Sequence, residues 1–379
     1  MPKTARNAEY TKEYNRKTVL KLLRIAPMSR SAIAREMGLT RATLSLIAEK
    51  LITDGIIRED AAGEAHQGRT PVPLYLCPDA YYTIGVYLNR KSCRVALVNI
   101  NEDILLKKSV NIDEHNESLK ITLLADCIRS IIAESEVPRE KIIGIGVSCP
   151  GPIDSKNGRI LHPPYFDIWH HTDICSLLNR MLDLPVYLEN DASCLAIYHL
   201  GKPSVKGSKN FLLLLEDNGL GSGIIVNGKI IKGNGGFTGE LGHTSICYDG
   251  EKCSCGNYGC LEGYAAIKNL LKDTAYTSWA DVIDRIHFDN EALAIAKKEA
   301  RFLSTGIINA ANFIGIDTVL LAGNLSHGAE IFSPMIEVLV NECTLHRDRM
   351  NIRVLPSSCH DDIQVLAAAD VAFNNFLSV

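Results

Sequence analysis

The residues most capable of chemistry lie in GELGHTSICYDGEKCSCGNYGCLEG, residues 239–263. Cys253-x-Cys255-x4-Cys260 follows His243 by ten positions. Three thiolates and an imidazole suit a tetrahedral zinc ion and leave no open coordination position, so the ion would be structural. The bland alternative is a set of buried, unpaired cysteines. The clustering argues against it, because the other cysteines, such as Cys93, Cys149 and Cys194, are scattered through apolar segments. A loop pinned by zinc would hold Glu240 and Glu262 rigidly as hydrogen-bond acceptors. His243, with one nitrogen on the metal, would keep the other N–H as a donor. Fixed acceptors and a donor form an array for binding hydroxyl groups; the alternative is a pair of solvated surface carboxylates.

A second constellation sits near the start. The segment NRKTVLKLLRIAPMSRSAIAREMGLTRATLSLIAEKLITDGIIRED reads as three short helices. Pro27 closes the first, Ser29 or Ser31 caps the second, and Gly38 ends it. Thr40 caps the third, where Leu44, Ile47, Ala48 and Leu51 recur at helical spacing. Two helices joined by a tight turn, the second with a polar start, predict a helix-turn-helix. Arg41, Thr43, Ser45 and Lys50 mark its polar face. Arg30, Thr40, Arg41, Thr43 and Ser45 are the candidate DNA contacts, since arginine can grip guanine and threonine can meet a thymine methyl. A strand, a polar loop and a second strand follow, and a wing there would lay Arg69 in a minor groove. Pro71, Pro73 and Pro78 read as a linker, giving a head over residues 1–79 and a body over 80–379. The competing reading of the head is a three-helix module for protein contacts.

Charge supports the first reading. The chain has 379 residues with a net charge of −4. Residues 1–58 carry 12 Lys+Arg against 5 Asp+Glu, a net of +7, and the remainder carries 28 against 39, a net of −11. A basic head on an acidic body suits a polyanionic partner for the head. No apolar run approaches the roughly 18 residues of a membrane span. The opening MPKTARNAEYTKEYNRK lacks the apolar stretch of a secretory signal. Both features predict a cytoplasmic protein with reduced thiols and no membrane partner.

The body shows one pattern twice. YTIGVYLNRKSCRVALVNINEDILLKKSV reads as three strands, followed by a helix (about 117–134) and the strand IIGIGVS. NFLLLLEDNGLGSGIIVNGKIIKGN again reads as three strands. A long helix (about 291–314), the strand TVLLAG, a helix (about 328–341), the strand NIRVLP and a final helix come after it. Two α/β lobes, about 80–205 and 206–379, would leave a cleft between them for a small ligand.

At this point the chain resembles the ROK family (repressor, open reading frame, kinase). The pieces that carry the likeness are GIGVSCPGPID (144–154), ENDA (189–192), NGLGSGIIVNGKI (218–230), GFTGELGH (236–243), CSCGNYGCLEG (253–263) and LLAGNLS (320–326). The resemblance implies an α/β fold in which a winged helix-turn-helix precedes a two-lobed actin/hexokinase-like domain. It carries zinc onto His243, Cys253, Cys255 and Cys260, and sugar contacts onto Asn190, Asp191, Glu240, His243 and Glu262. In the family's kinases Asp191 would be the general base.

The nucleotide side departs from the family. The family's first phosphate loop has an acid followed by Gly-Gly-Thr, and here Tyr87-Leu88-Asn89-Arg90-Lys91 stands instead. Asp217-Asn218-Gly219 replaces Gly-Thr-Gly, and Ala322-Gly323 replaces Gly-Gly. Phosphoryl transfer depends mostly on holding the phosphates. Binding without transfer is therefore expected, with Asp191 a vestigial base. Tyr165 falls about where the family places a sugar-binding Asn, which points to an unusual sugar, a phosphosugar or a more apolar relative; Arg90 and Lys91 could hold a phosphate, and the alternative for them is a solvated loop.

Together these features predict a sugar-responsive transcription regulator, a repressor of carbohydrate genes. It would be a homodimer or homotetramer on a palindromic operator, with structural zinc and no enzymatic activity. The alternatives are an ATP-dependent sugar kinase with an appended DNA-binding domain, and a module controlled by a protein partner.

Overall fold

The computed structural model describes residues 8–59, 72–90, 92–112, 119–233, 237–345, 348–349, 351–357 and 362–378. The wing loop with Arg69, as well as Lys91, Gly236 and the first residues of the helix predicted from 117, lies outside them.

The head contains α1 (Ala8–Ile25), α2 (Arg30–Met37) and α3 (Arg41–Thr53). Three short strands, β1 (Met28–Ser29), β2 (Ile57–Glu59) and β3 (Pro73–Leu76), form a sheet in the order β1-β3-β2. Ser29 caps α2, its hydroxyl accepting from Ala32 N–H, and Gly38 ends that helix in the left-handed region at φ 64°. Thr40 caps α3 by accepting from Thr43 N–H. These are the caps expected, and they space the two helices for a helix-turn-helix. Pro71 of the linker reading lies outside the described residues, and the other two prolines sit in regular elements. Pro73 opens β3, Pro78 opens a short 3-10 turn, and Ala80 joins the head's core.

The described chain divides into two compact units. The first contains the head, residues up to Cys149, residues 155–189 and residues 365–379. Its five-stranded sheet is built from β4 (Tyr82–Leu88), β5 (Ser92–Asn99), β6 (Ile104–Asn111), β7 (Ile142–Cys149) and a later strand. Every residue of β4 is buried, as a central strand requires, whereas β6 alternates exposed and half-buried residues, the signature of a sheet edge. Helix α4 (Lys120–Glu134) covers one face. Two short strands follow, β8 (Ile153–Asp154) and β9 (Arg159–Ile160), then α5 (Ile174–Leu182) and β10 (Val186–Asn190). The sheet order is β10-β7-β4-β5-β6.

The second unit holds residues 150–154 and 190–364. It opens with α6 (Asp191–His199) and a five-stranded sheet beginning with β11 (Phe211–Glu216), β12 (Leu220–Val226) and β13 (Lys229–Ile230). After the cysteine-rich loop come α7 (Leu261–Ala265), α8 (Ile267–Leu270), α9 (Trp279–Arg285) and α10 (Asn290–Ile314). The unit closes with β14 (Thr318–Gly323), α11 (Ala329–Cys343) and β15 (Arg353–Pro356). The order β13-β12-β11-β14-β15 repeats the logic of the first sheet. A central strand is flanked by an antiparallel hairpin partner on one side and a parallel strand on the other. Leu212, Leu214, Ile307, Val319, Leu321 and Phe332 are fully buried in the core beneath it.

The last helix, α12 (Ile363–Phe376), belongs mainly to the first unit. Phe373 and Leu377 complete the head's core beside Leu20, Leu23 and Leu74. Arg24 on α1 donates to Asp370 at 2.7 Å, with both side chains almost buried. Its guanidinium also lies 4.8 Å from the Phe373 ring centre. Among the described residues no helix is long and apolar enough to cross a membrane.

Candidate effector site and DNA-reading surface

The cysteine-rich loop is held against β12. Gly239, at φ 91°, brings its backbone so near Ser222 O that a Cβ there would lie 2.4 Å from it, so only glycine fits. The Ser222 hydroxyl donates to Gly239 O. With the loop placed this way, the ligand atoms of His243, Cys253, Cys255 and Cys260 all lie within 4.8 Å of one another. His243 Nδ1 is 3.6 Å from Cys253 Sγ, and Cys255 Sγ is 3.7 Å from Cys260 Sγ. This is the quartet expected from the sequence.

The donor set fits a soft divalent cation. Burial works against ionisation of Cys253, but hydrogen bonds from the Cys255 N–H, from His243 and from the neighbouring thiols outweigh it and bring its thiol down to about 7. Burial and the two adjacent sulfurs push Cys260 up to about 12. Three sulfurs this close resist ionising together unless a cation shares their charge, and a tetrahedral zinc ion meets that demand. Nδ1 is the imidazole nitrogen turned toward the sulfurs.

The loop positions its carboxylates. Glu262, in the first turn of α7, accepts from Leu220 N–H at 2.9 Å, which ties the cysteine-rich loop to the start of β12. Burial raises the pKa of Glu240; His243 opposes the shift and Glu262 adds to it. Asn190 caps α6 by accepting from Ser193 N–H, and its amide donates to Asp191 Oδ1 at 3.0 Å. Asp191 Oδ1 also accepts from Ala192 N–H. Gly151 marks where Asn190 and Glu240 converge. A Cβ on it would stand 3.2 Å from Asn190 Nδ2 and 3.5 Å from Glu240 Oε1. Thus Asn190, Asp191, Glu240, His243 and Glu262, from three separate stretches, belong to one unit.

Two features near this site were not legible in the sequence. Glu216, at the end of β11, accepts from Ile267 N–H at 2.9 Å and from the Asn324 amide at 2.8 Å. It thereby joins the 217–219 loop to the 322–324 loop. Burial pushes its carboxyl up to about 7. Glu299 on α10 is fully buried, its pKa raised by burial and by Glu216, and among the described residues neither of its oxygens has a hydrogen-bond partner. An acid in an apolar helical repeat carries no sequence signal of its partners.

After β4 the chain is tied back by its own hydrogen bonds. Asn89 N–H donates to Ser92 O, Arg90 N–H to the Asn89 side chain, and the Arg90 guanidinium to Pro164 O. Tyr165 is 68% exposed at φ 58°, an uncommon backbone conformation for an aromatic residue.

In the head, Arg41 and Thr43 are exposed as expected. Thr40 is spent on the cap, bonding both Thr43 N–H and the Thr43 hydroxyl. Arg30 is half-buried in ion pairs with Glu59 at 2.8 Å and Glu49 at 3.7 Å. Ser45 is only half exposed, and Leu46 beside it is 69% exposed.

A winged helix-turn-helix preceding two α/β units, one with a Cys3His loop beside convergent polar side chains, defines a regulator built on a sugar-kinase scaffold. The ROK family model matches residues 83–374, and the chain belongs to the ROK family. It is 28% identical over 376 residues to the xylose repressor of Bacillus spizizenii, covering 98% of this chain and 97% of that one. It is 26% identical over 368 residues to the DNA-binding transcriptional dual regulator NagC of Escherichia coli (strain K12), covering 93% and 90%. Among solved structures it resembles a ROK family transcriptional regulator described as a homolog of the E. coli MLC protein, with a TM-score of 0.81 and 24% identity over 97% and 98% of the chains. A ROK hexokinase from Thermus thermophilus aligns with 78% of this chain at a TM-score of 0.67 and 22% identity.

Proposed function

We infer that this chain is a sugar-responsive transcription regulator of the repressor type. It binds operator DNA through α3 and the wing and binds a sugar or phosphosugar in the second unit. One observation carries the reading. A DNA-reading head and a site where Asn190 and Glu240 converge on Gly151 beside a Cys3His loop occur in one chain, and relatives matched over nearly their whole length are named a xylose repressor and a DNA-binding transcriptional dual regulator. His243, Cys253, Cys255 and Cys260 would hold zinc as a structural ion, which supplies rigidity and leaves no position for chemistry. Held there by Nδ1, His243 presents Nε2–H to a hydroxyl, while Glu240 and Glu262 accept from others.

Binding proceeds without phosphoryl transfer. The 89–92 turn is closed by its own hydrogen bonds, and Asp217 places a carboxylate where a phosphate loop needs amides. A sugar alters DNA affinity only through unequal affinity for two states of the protein. A two-fold oligomer would read a palindrome with matching half-sites. Asp191, held at the start of α6 where the family's kinases need a base, is the observation favouring the second reading, an ATP-dependent sugar kinase with an appended head.

One pair of measurements separates the readings. Arg41→Ala should lower specific operator affinity about 10–100-fold, the weight of one bidentate base contact, with sugar binding unchanged. Incubation of the full chain with ATP and a sugar panel should give no turnover. Turnover abolished by Asp191→Asn would establish the kinase instead.

A further inference from the structure

Helix α3 buries Leu44, Ala48 and Leu51, and it therefore turns Ala42, Thr43, Leu46, Glu49 and Lys50 outward. At 100° per residue, Leu46 lies in the middle of that stripe, three or four positions from each of the other four. It belongs neither to the head's buried core nor to the half-buried shell around that core. Its exposure of 69% exceeds that of every other large apolar side chain among the described residues of the head. Folding therefore gains nothing from a leucine here, and water makes its exposure unfavourable. The surroundings are those of a DNA-facing surface: Arg41 and Thr43 are exposed on the preceding turn, and the head carries net positive charge.

An exposed leucine has a specific counterpart in a major groove. Thymine's 5-methyl group is the one apolar group at the base edges there, and apolar side chains distinguish it from cytosine. Resting on the DNA-binding reading above, we propose that Leu46 is a specificity-determining residue that packs on the methyl group of a thymine. Ser45, one residue earlier and half-buried, points 100° away from the centre of this stripe and is not the reading residue. The occupant of the patch is duplex DNA rather than a second protein: Lys50, paired with Asp54 at 2.8 Å, borders Leu46, Glu49 in the stripe faces Arg30, Arg41 is exposed at the start of the helix, and the head carries net positive charge.

The test uses the full chain and duplexes enriched by it from a random-sequence pool. Each thymine of the enriched site is replaced in turn by deoxyuridine, which removes the methyl group and leaves the hydrogen-bonding edges intact. The wild type should lose about fourfold in affinity at one thymine per half-site, the weight of one buried methyl. Leu46→Ala should bind the thymine duplex more weakly by a similar factor and should be indifferent to deoxyuridine at that position. Leu46→Met should retain the sensitivity. Because Leu46 stands outside the head's core and its half-buried shell, both variants should melt with the wild type. If deoxyuridine is tolerated at every position, or if Leu46→Ala keeps the wild-type profile, the proposal is overturned. Failure to enrich any sequence would instead overturn the DNA-binding reading on which it rests.

Discussion

The cysteine-rich loop and the face of α3 are both built to meet a ligand, yet they hold their side chains in opposite ways. At the effector site several groups are already engaged: Glu262 on Leu220 N–H and His243 against Cys253 in the loop, and Asn190 in the cap of α6, where it also touches Asp191. On α3 Arg41 and Leu46 stand out in water, and the fixed groups are held only by near neighbours, Thr43 by Thr40 and Lys50 by Asp54. The size of the ligand explains the difference. A sugar offers a handful of hydroxyls, so affinity depends on polar groups whose ordering cost has already been met by folding. A duplex offers a long row of phosphates, so side chains can be ordered on contact and the loss recovered many times over.

The sharpest way to break this contrast is to remove the metal ligands. Cys253→Ala, or chelation of the wild type, should abolish the rise in melting temperature caused by a bound sugar. Salt-sensitive, non-specific DNA binding should remain. Metal content by mass spectrometry checks the first half of the claim, and DNA titration at two ionic strengths checks the second. A metal-free protein that still responds to sugar would show that the loop is not held by zinc.

A smaller effect separates the interiors of the two regions. Glu216 and Glu299 keep their protons in the folded chain to higher pH than in the unfolded chain, whose carboxyls ionise near 4.5. Their contribution is complete below that value and is lost as pH rises through the folded value, about 7 for Glu216. The second unit should therefore melt several degrees lower at pH 8 than at pH 5.5. Glu299→Gln should flatten that slope and raise the melting temperature at pH 8, whereas the head's own unfolding should show no such dependence.

The smallest effect belongs to the residue that caps the reading helix. Thr40→Ala removes the α3 cap and should cost about 1 kcal/mol. Calorimetry should register that loss while sugar binding stays unchanged.

The features legible in the sequence were those written locally. Ser29, Gly38 and Thr40 mark helix ends through hydrogen bonds spanning three or four residues. His243 and the three cysteines announce a metal by their spacing alone. The long helix read as 291–314 begins at Asn290, because a wholly helical apolar period leaves little else to form. What could not be read were contacts between distant residues. Arg30 lies among the DNA candidates by its place in the sequence, but Glu59 and Glu49 hold it. Ser45 and Leu46 differ by one position, and only the packing of Leu44, Ala48 and Leu51 decides which of the two faces outward.

Arg24 and Asp370 are 346 residues apart in the chain, yet they meet inside the core that α1, β3 and the last helix build together. The operator-reading head is therefore not a cassette. Exchanging residues 1–79 between two such regulators would leave Arg24's counterpart behind and strip Phe373 and Leu377 of their covering. The unit that recombination must carry to transplant a DNA specificity is split in two, with 346 residues of chain between its two charged partners.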